Sequence, residues 1–246
     1  MPAGMGRSLV SSLPKHKEAR GEGPSIGPNT MSMTASAGRG IWPAVRDDFR
    51  FYSCLYFPKG ASLPRRLVRC MHSAGFFVLA ILRAERHLME YRRRDGWTLR
   101  LLALRFLLVF AKPLEFMLTK SEVWIHTDIG PNVYLSDRGY LFLGPWSIGS
   151  GTLIHDRVLI GAKAAQSDAR PTIGANVWIG PECVIYGDSH LGDGCTVLPG
   201  SVLSMNVPDH AVVGGNPALI VRRGFDNTNL RRSLAVNIDR ETLTWQ

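Results

Sequence analysis

Residues 171–203 read PTIGANVWIGPECVIYGDSHLGDGCTVLPGSVL. An aliphatic side chain returns at every sixth position: Ile173, Ile179, Ile185, Leu191, Val197 and Leu203. Four residues after each sits a small or β-branched one: Val177, Cys183, Ser189, Cys195, Ser201 and Val207. Glycine follows directly at Gly174, Gly180 and Gly192. A period of six matches neither the helical repeat of about 3.6 nor the strand repeat of about 2. It matches a parallel β-helix, in which each repeat makes one side of a triangular coil. The aliphatic residue then points inward and stacks on its counterpart three repeats later. The small residue fits the narrow interior beside it, and glycine suits the tight turn where positive φ is wanted. A β-sandwich would instead alternate strictly, with turn signals every ~8–12 residues.

The pattern reaches upstream. Val123, Ile129, Leu135 and Leu141 keep the period, and after a one-residue slip Ile148, Ile154 and Ile160 resume it. Small residues recur at Thr127, Val133, Thr152, Val158 and Ala164. Gln166–Thr172 is an insertion between repeats. No coil buries its own apolar face, so coils stack and the ends of the stack need caps. The expected fold is all-β, a parallel β-helix over 121–224, with an α-helical region over 41–120 as the cap at its N-terminal end.

In that helical region Leu67, Cys70, Met71, Ala74, Phe77, Val78, Ile81 and Leu82 recur at steps of three and four, the apolar face of one amphipathic helix. Pro58 and Pro64 bracket a break before it, and 91–96 reads as a charged connector. A second helix is expected over Trp97–Leu118, with Pro113 kinking or ending it. Arg100, Arg105 and Lys112 interrupt that stretch, so it reads as a buried or membrane-surface helix and not as a span. Residues 1–40, rich in Gly, Ser and Pro, read as a disordered tail without the apolar run of a secretory signal, and 225–246 as a C-terminal tail.

Charge divides the chain. Residues 1–120 hold 20 Lys+Arg against 8 Asp+Glu, and residues 121–246 hold 9 against 12. The basic half suits an anionic membrane surface or an acidic partner, although a helix packed on the body of the protein is the ordinary reading. No nucleic-acid recognition motif accompanies the charge, so nucleic acid is not an expected partner. Cys54, Cys70, Cys183 and Cys195 form no CxxC pair and no zinc spacing, which reads as reduced thiols in a cytoplasmic protein.

The phrases GTLIHDRVLIGAKAAQSDARPTIGANVWIG (Gly151–Gly180) and NVPDHAVVGGNPALIVRR (Asn206–Arg223) resemble the hexapeptide-repeat acyltransferases, closest to the serine O-acetyltransferases and their polysaccharide-modifying relatives. The resemblance implies a left-handed coil, a homotrimer, and acetyl-CoA as acyl donor bound in clefts between subunits, with serine or a sugar hydroxyl as acceptor. This chain departs from the family at two points. Where serine acetyltransferases carry histidines, LSDRG (Leu135–Gly139) has Asp137 and DARPTIG (Asp168–Gly174) has Arg170.

Acyl transfer from a thioester to a hydroxyl needs a base to take the hydroxyl proton, and histidine is the usual one. It needs no metal. His155 is the candidate base, at a turn position with its side chain directed away from the apolar interior and Asp156 beside it to orient the ring; Asp137 is the carboxylate alternative. His126 reads as structural, and His190 has no evident partner. For acetyl-CoA the candidates are Ala162, Lys163 and Ala164 ahead of the insertion, with Arg170, Gly180, Arg222 and Arg223. Two other readings stay open: a zinc hydrase on the same coil, which needs three converging imidazoles, and a trimeric scaffold that keeps the fold without turnover.

Overall fold

The structure is a computed structural model that describes residues 41–57, 61–164 and 168–233. The expected tails, 1–40 and most of 225–246, lie outside those residues, as do Pro58 and residues 166–167 of the insertion. Four helices come first: α1 (Ile41–Tyr56), α2 (Leu63–Met71), α3 (Ala74–Asp95) and α4 (Leu99–Thr119). Short strands then wind upward in coils. The first holds β1 (Glu122–Val123), β2 (Asp128–Ile129) and β3 (Tyr134–Leu135). The second holds β4 (Phe142–Leu143), β5 (Ser147–Ile148) and β6 (Leu153–Ile154). The third holds β7 (Leu159–Gly161), β8 (Thr172–Ile173) and β9 (Trp178–Ile179), and the fourth β10 (Val184–Tyr186), β11 (His190–Leu191) and β12 (Thr196–Val197). A last partial coil holds β13 (Val202–Leu203) and β14 (Val212–Gly215). The strand β15 (Ala218–Arg222) folds back antiparallel on β14 and ends the stack, and α5 (Thr228–Ser233) follows.

Three parallel faces result. The first is β1-β4-β7-β10-β13, the second β2-β5-β8-β11, and the third β3-β6-β9-β12-β14, with β15 at its edge. The aliphatic positions stack through the centre, as in Ile148 on Ile173 on Leu191 and Ile154 on Ile179 on Val197. All are buried. Each contributes about 1.5–3 kcal/mol, which outweighs the roughly 1–2 kcal/mol that a non-glycine residue loses in a left-handed turn. Such turns are found at Asn132, Arg157, Asn176 and Glu182.

Two local expectations change. The slip divides into a step of eight and a step of five: Leu143, not Leu141, follows Leu135 and precedes Ile148 in the stack, beside Val123 and Ile160, and Leu141 fills the inner position of the preceding corner. The glycines after the aliphatic residues are not the left-handed ones, which come two residues later. They allow coils to approach, since a Cβ on Gly149 would stand 2.4 Å from the Ala175 nitrogen.

The helical region also differs from its expected outline. The single helix across Leu67–Leu82 is two helices, α2 and α3, meeting at 85°. Ser73 divides them by capping α3, accepting from the Phe76 amide. Residues 91–94 of the expected connector continue α3, and the chain turns only at Gly96, φ +68°. α4 begins on the Thr98 cap and passes through Pro113 to Thr119. The cap on the coil rests on several contacts, three of which involve Tyr52, Arg83 and Gly75. The buried Tyr52 hydroxyl accepts from the Leu135 amide at 2.9 Å and donates to its carbonyl at 3.1 Å. Arg83 donates to the Ile129 and Gly130 carbonyls and pairs with buried Asp48. Gly75 lies against β3 so closely that a Cβ there would stand 1.9 Å from the Leu135 carbonyl oxygen.

Candidate functional site

His155 follows β6 at the corner where the third face turns into the first. Its amide donates to the Ile179 carbonyl at 3.1 Å, which fixes the backbone. The imidazole tilts over Trp178 with ring centroids 4.9 Å apart. Nε2 is buried and has no hydrogen-bond partner among the described residues. Burial holds the His155 pKa below the ordinary histidine value, and the Asp156 charge only partly opposes it. The ring is therefore neutral at pH 7, the form that accepts a proton. Asp156 does not hydrogen-bond it; the Asp156 carboxylate stands 3.8 Å from Arg157 Nε. The expected orienting role shrinks to a charge effect, and Trp178 is the group that packs on the ring. That neighbour follows from strand pairing, because Trp178 pairs with Leu153 one coil below.

Asp137 lies one coil lower on the same corner and is fully engaged. Tyr56 and Ser73 donate to its two oxygens, and Arg69 Nη2 stands 3.4 Å away. Arg69 also lies 4.3 Å above the Tyr56 ring. Burial, and then the Asp137 carboxylate, raise the Tyr56 pKa far above the usual phenol range. Burial, with the same carboxylate adding to it, pushes Tyr134 up to about 12. The sequence alone does not reveal these partners, since Tyr56 and Ser73 are 81 and 64 residues away. Gly180 occupies this corner one coil above His155, where a Cβ would meet the Pro199 nitrogen at 2.8 Å.

Ala162, Lys163, Ala164 and Arg170 occupy the next corner, between the first and second faces. Ala162 and Lys163 leave β7 there, and Lys163 lies beside Gly187. Ala164 is exposed, not an inner residue of the coil, because the chain is already departing into the insertion. Arg170 Nη1 donates to the Gly144 carbonyl at 3.0 Å, and its guanidinium lies 4.0 Å over Trp124. Trp124 packs in turn on Trp146 and His126. Arg222 and Arg223 are exposed on and just after β15, away from either corner group.

Apart from Arg222 and Arg223, the candidates thus form two groups on the two edges of the first face. Above the exposed Glu122, Phe142, Leu159, Val184 and Val202 make the outer column of that face. Phe142 and Leu159 are exposed and the two valines half-buried, whereas the outer column of the third face is largely covered. A separate cleft of about 560 Å³ opens between α1, α3 and the second face. It is lined by Asp47, His87, Glu90, Asp128 and His190, and none of the catalytic or cofactor candidates reaches it. His190 does have a partner, Thr172 Oγ1 at 2.8 Å.

Residues 170–204 match the family described as bacterial transferase hexapeptide (six repeats). The chain is 33% identical over 96 residues to serine acetyltransferase 2 of Arabidopsis thaliana, covering 38% of this chain and 30% of the relative. It is 38% identical over 58 residues to a chloramphenicol acetyltransferase of Agrobacterium fabrum (strain C58 / ATCC 33970), 24% of this chain and 28% of that one. The chain therefore spans about a third of the length of these curated relatives. Among solved structures, serine acetyltransferase from Brucella abortus strain S19 superposes with a TM-score of 0.57 at 20% identity, over 74% of this chain and 69% of that one. A Neisseria gonorrhoeae serine acetyltransferase in complex with serine gives 0.55 at 20% identity, with the same coverage. The likeness to these structures is one of fold: a left-handed parallel β-helix preceded by helices.

Proposed function

We propose that this chain, whose left-handed β-helix resembles that of the serine acetyltransferases, is an acetyl-CoA-dependent O-acyltransferase acting on serine or a sugar hydroxyl in the cytoplasm. The observation that carries this reading is His155: a buried, neutral imidazole whose Nε2 has no partner, on the edge of an open apolar face. In the proposed reaction Nε2 takes the proton of the acceptor hydroxyl as its oxygen attacks the thioester carbon. The tetrahedral intermediate collapses with loss of the coenzyme A thiolate, which the imidazolium reprotonates. Trp178 holds the ring in place, and Asp156 stabilises the imidazolium by charge.

Three copies are proposed to pack their first faces about a threefold axis. The Phe142-Leu159-Val184-Val202 column supports this, since an apolar stripe of that kind favours burial. In such a closed ring each corner meets a different corner of its neighbour. The His155 corner of one subunit then faces the Lys163–Arg170 corner of the next. Lys163 would meet coenzyme A phosphates, and small Ala162 lets the pantetheine arm approach the backbone.

A second reading, a trimeric scaffold without turnover, draws on a specific observation. Both residues at the family histidine positions have structural occupations: Asp137 on Tyr56, Ser73 and Arg69, and Arg170 on Gly144 and Trp124. Thiol release from acetyl-CoA across serine, sugar and amino-sugar acceptors decides between them. Acceptor-dependent release that falls by about 100-fold or more in His155→Ala is expected. Binding of acetyl-CoA with no release on any acceptor would favour the scaffold.

A further inference from the structure

We propose that the outer face of α4 is a docking surface for an anionic lipid bilayer. Every residue of this helix advances about 100° around its axis. Leu101, Leu108, Glu115 and Thr119 fall on one line and are the buried residues. That line packs on α3, where Lys112 Nζ bridges Glu85 at 3.4 Å and Glu115 at 3.2 Å. The opposite side holds Leu99, Leu102, Phe106, Phe110, Leu114 and Met117, each between 48 and 84% exposed. No charged residue interrupts it, because Arg105 and Lys112 flank the packed line. An all-apolar outer face over five turns is far from the ordinary scatter of single surface hydrophobics.

The charges around this face choose the occupant. Residues 61–120 hold 12 Lys+Arg against 4 Asp+Glu. Arg92, Arg93 and Arg94 end α3, and Arg100 and Arg105 are exposed on α4. Trp97, between the two helices, is flanked by Arg92 at 5.0 Å and Arg105 at 5.2 Å. A second copy would bring two like-charged rims together around the apolar faces. Anionic headgroups complement the same rim while the acyl region receives the apolar side chains. No single helix among the described residues is long and apolar enough to cross a membrane, so α4 lies in the interface and does not span it. This surface is independent of the acyl-transfer reading.

Flotation of the full chain with vesicles tests it. Vesicles of phosphatidylcholine with ~30% phosphatidylglycerol are expected to carry at least about tenfold more protein than pure phosphatidylcholine, and ~0.5 M salt should remove most of that difference. The variant Phe106→Asp/Phe110→Asp/Met117→Asp, exposed at every changed position, should keep the helical circular dichroism and lose the binding about tenfold. Tryptophan quenching of the unaltered chain by brominated lipid gives a reading that needs no variant, and quenching specific to anionic vesicles is expected. Three results would each overturn the proposal: no preference for anionic vesicles, no quenching, or a mass by light scattering that falls by half in the folded variant. The last would assign the face to a second copy.

Discussion

A histidine serves as a base near neutral pH only while its ring is unprotonated, and burial secures that for His155. The acid limb of kcat/KM should therefore lie below the ordinary histidine value of about 6.5. A limb above that value, measured in a pH-rate series, contradicts the assignment. Tyr52→Phe tests the neighbouring joint. It leaves the Leu135 amide and carbonyl without their partner, and a loss of ~1–3 kcal/mol in denaturant unfolding is expected. Gly149→Ala should cost about as much, because the new Cβ meets backbone that cannot move aside. His155 stood out in the sequence because it occupies a position where glycine recurs. The bonds on Asp137 did not, since side chains that meet from 64 and 81 residues away leave no local spacing.

At the scale of elements, α4 hangs on a titratable joint. Burial, reinforced by Glu85 and Glu122 and opposed by Lys112, raises the Glu115 pKa to about 7. The folded state therefore keeps a proton that the unfolded chain releases near its ordinary value of 4.5. The stabilising contribution is fully present below about pH 4.5 and is lost as pH rises through about 7. Glu115→Gln should flatten that slope and raise the unfolding midpoint at pH 8, by on the order of 1–3 kcal/mol in stability. A midpoint that falls at pH 8 would show that the Lys112 pair matters more than the buried charge. The coils were legible because their period of six is local and repeats. The α2–α3 break was not, because the apolar spacing runs unbroken across Ser73. The cap at Ser73 and the close approach at Gly75 to Leu135 decide the bend.

For the whole molecule, the two groups of candidate residues on the edges of the first face gain meaning only in an assembly. Leu159→Asp, on the open apolar column, is expected to leave the monomer folded and break the proposed trimer, with acetyl-CoA binding lost alongside. Light scattering and ligand titration on the same sample check both. The sequence pointed to the coil, its helical cap and both groups of residues. It did not give their placement on separate corners, because the slip at 135–148 and the insertion shift which residues face each way. The proposed sharing of the site between subunits allows a direct test. His155→Ala and Lys163→Ala/Arg170→Ala should each release little thiol from acetyl-CoA in the presence of acceptor. Mixed trimers of the two variants, refolded together, are the decisive measurement. Activity is expected to return, since one interface in each mixed trimer joins an intact His155 corner to an intact Lys163–Arg170 corner. Mixed trimers that form yet stay as inactive as either parent would contradict the proposed sharing.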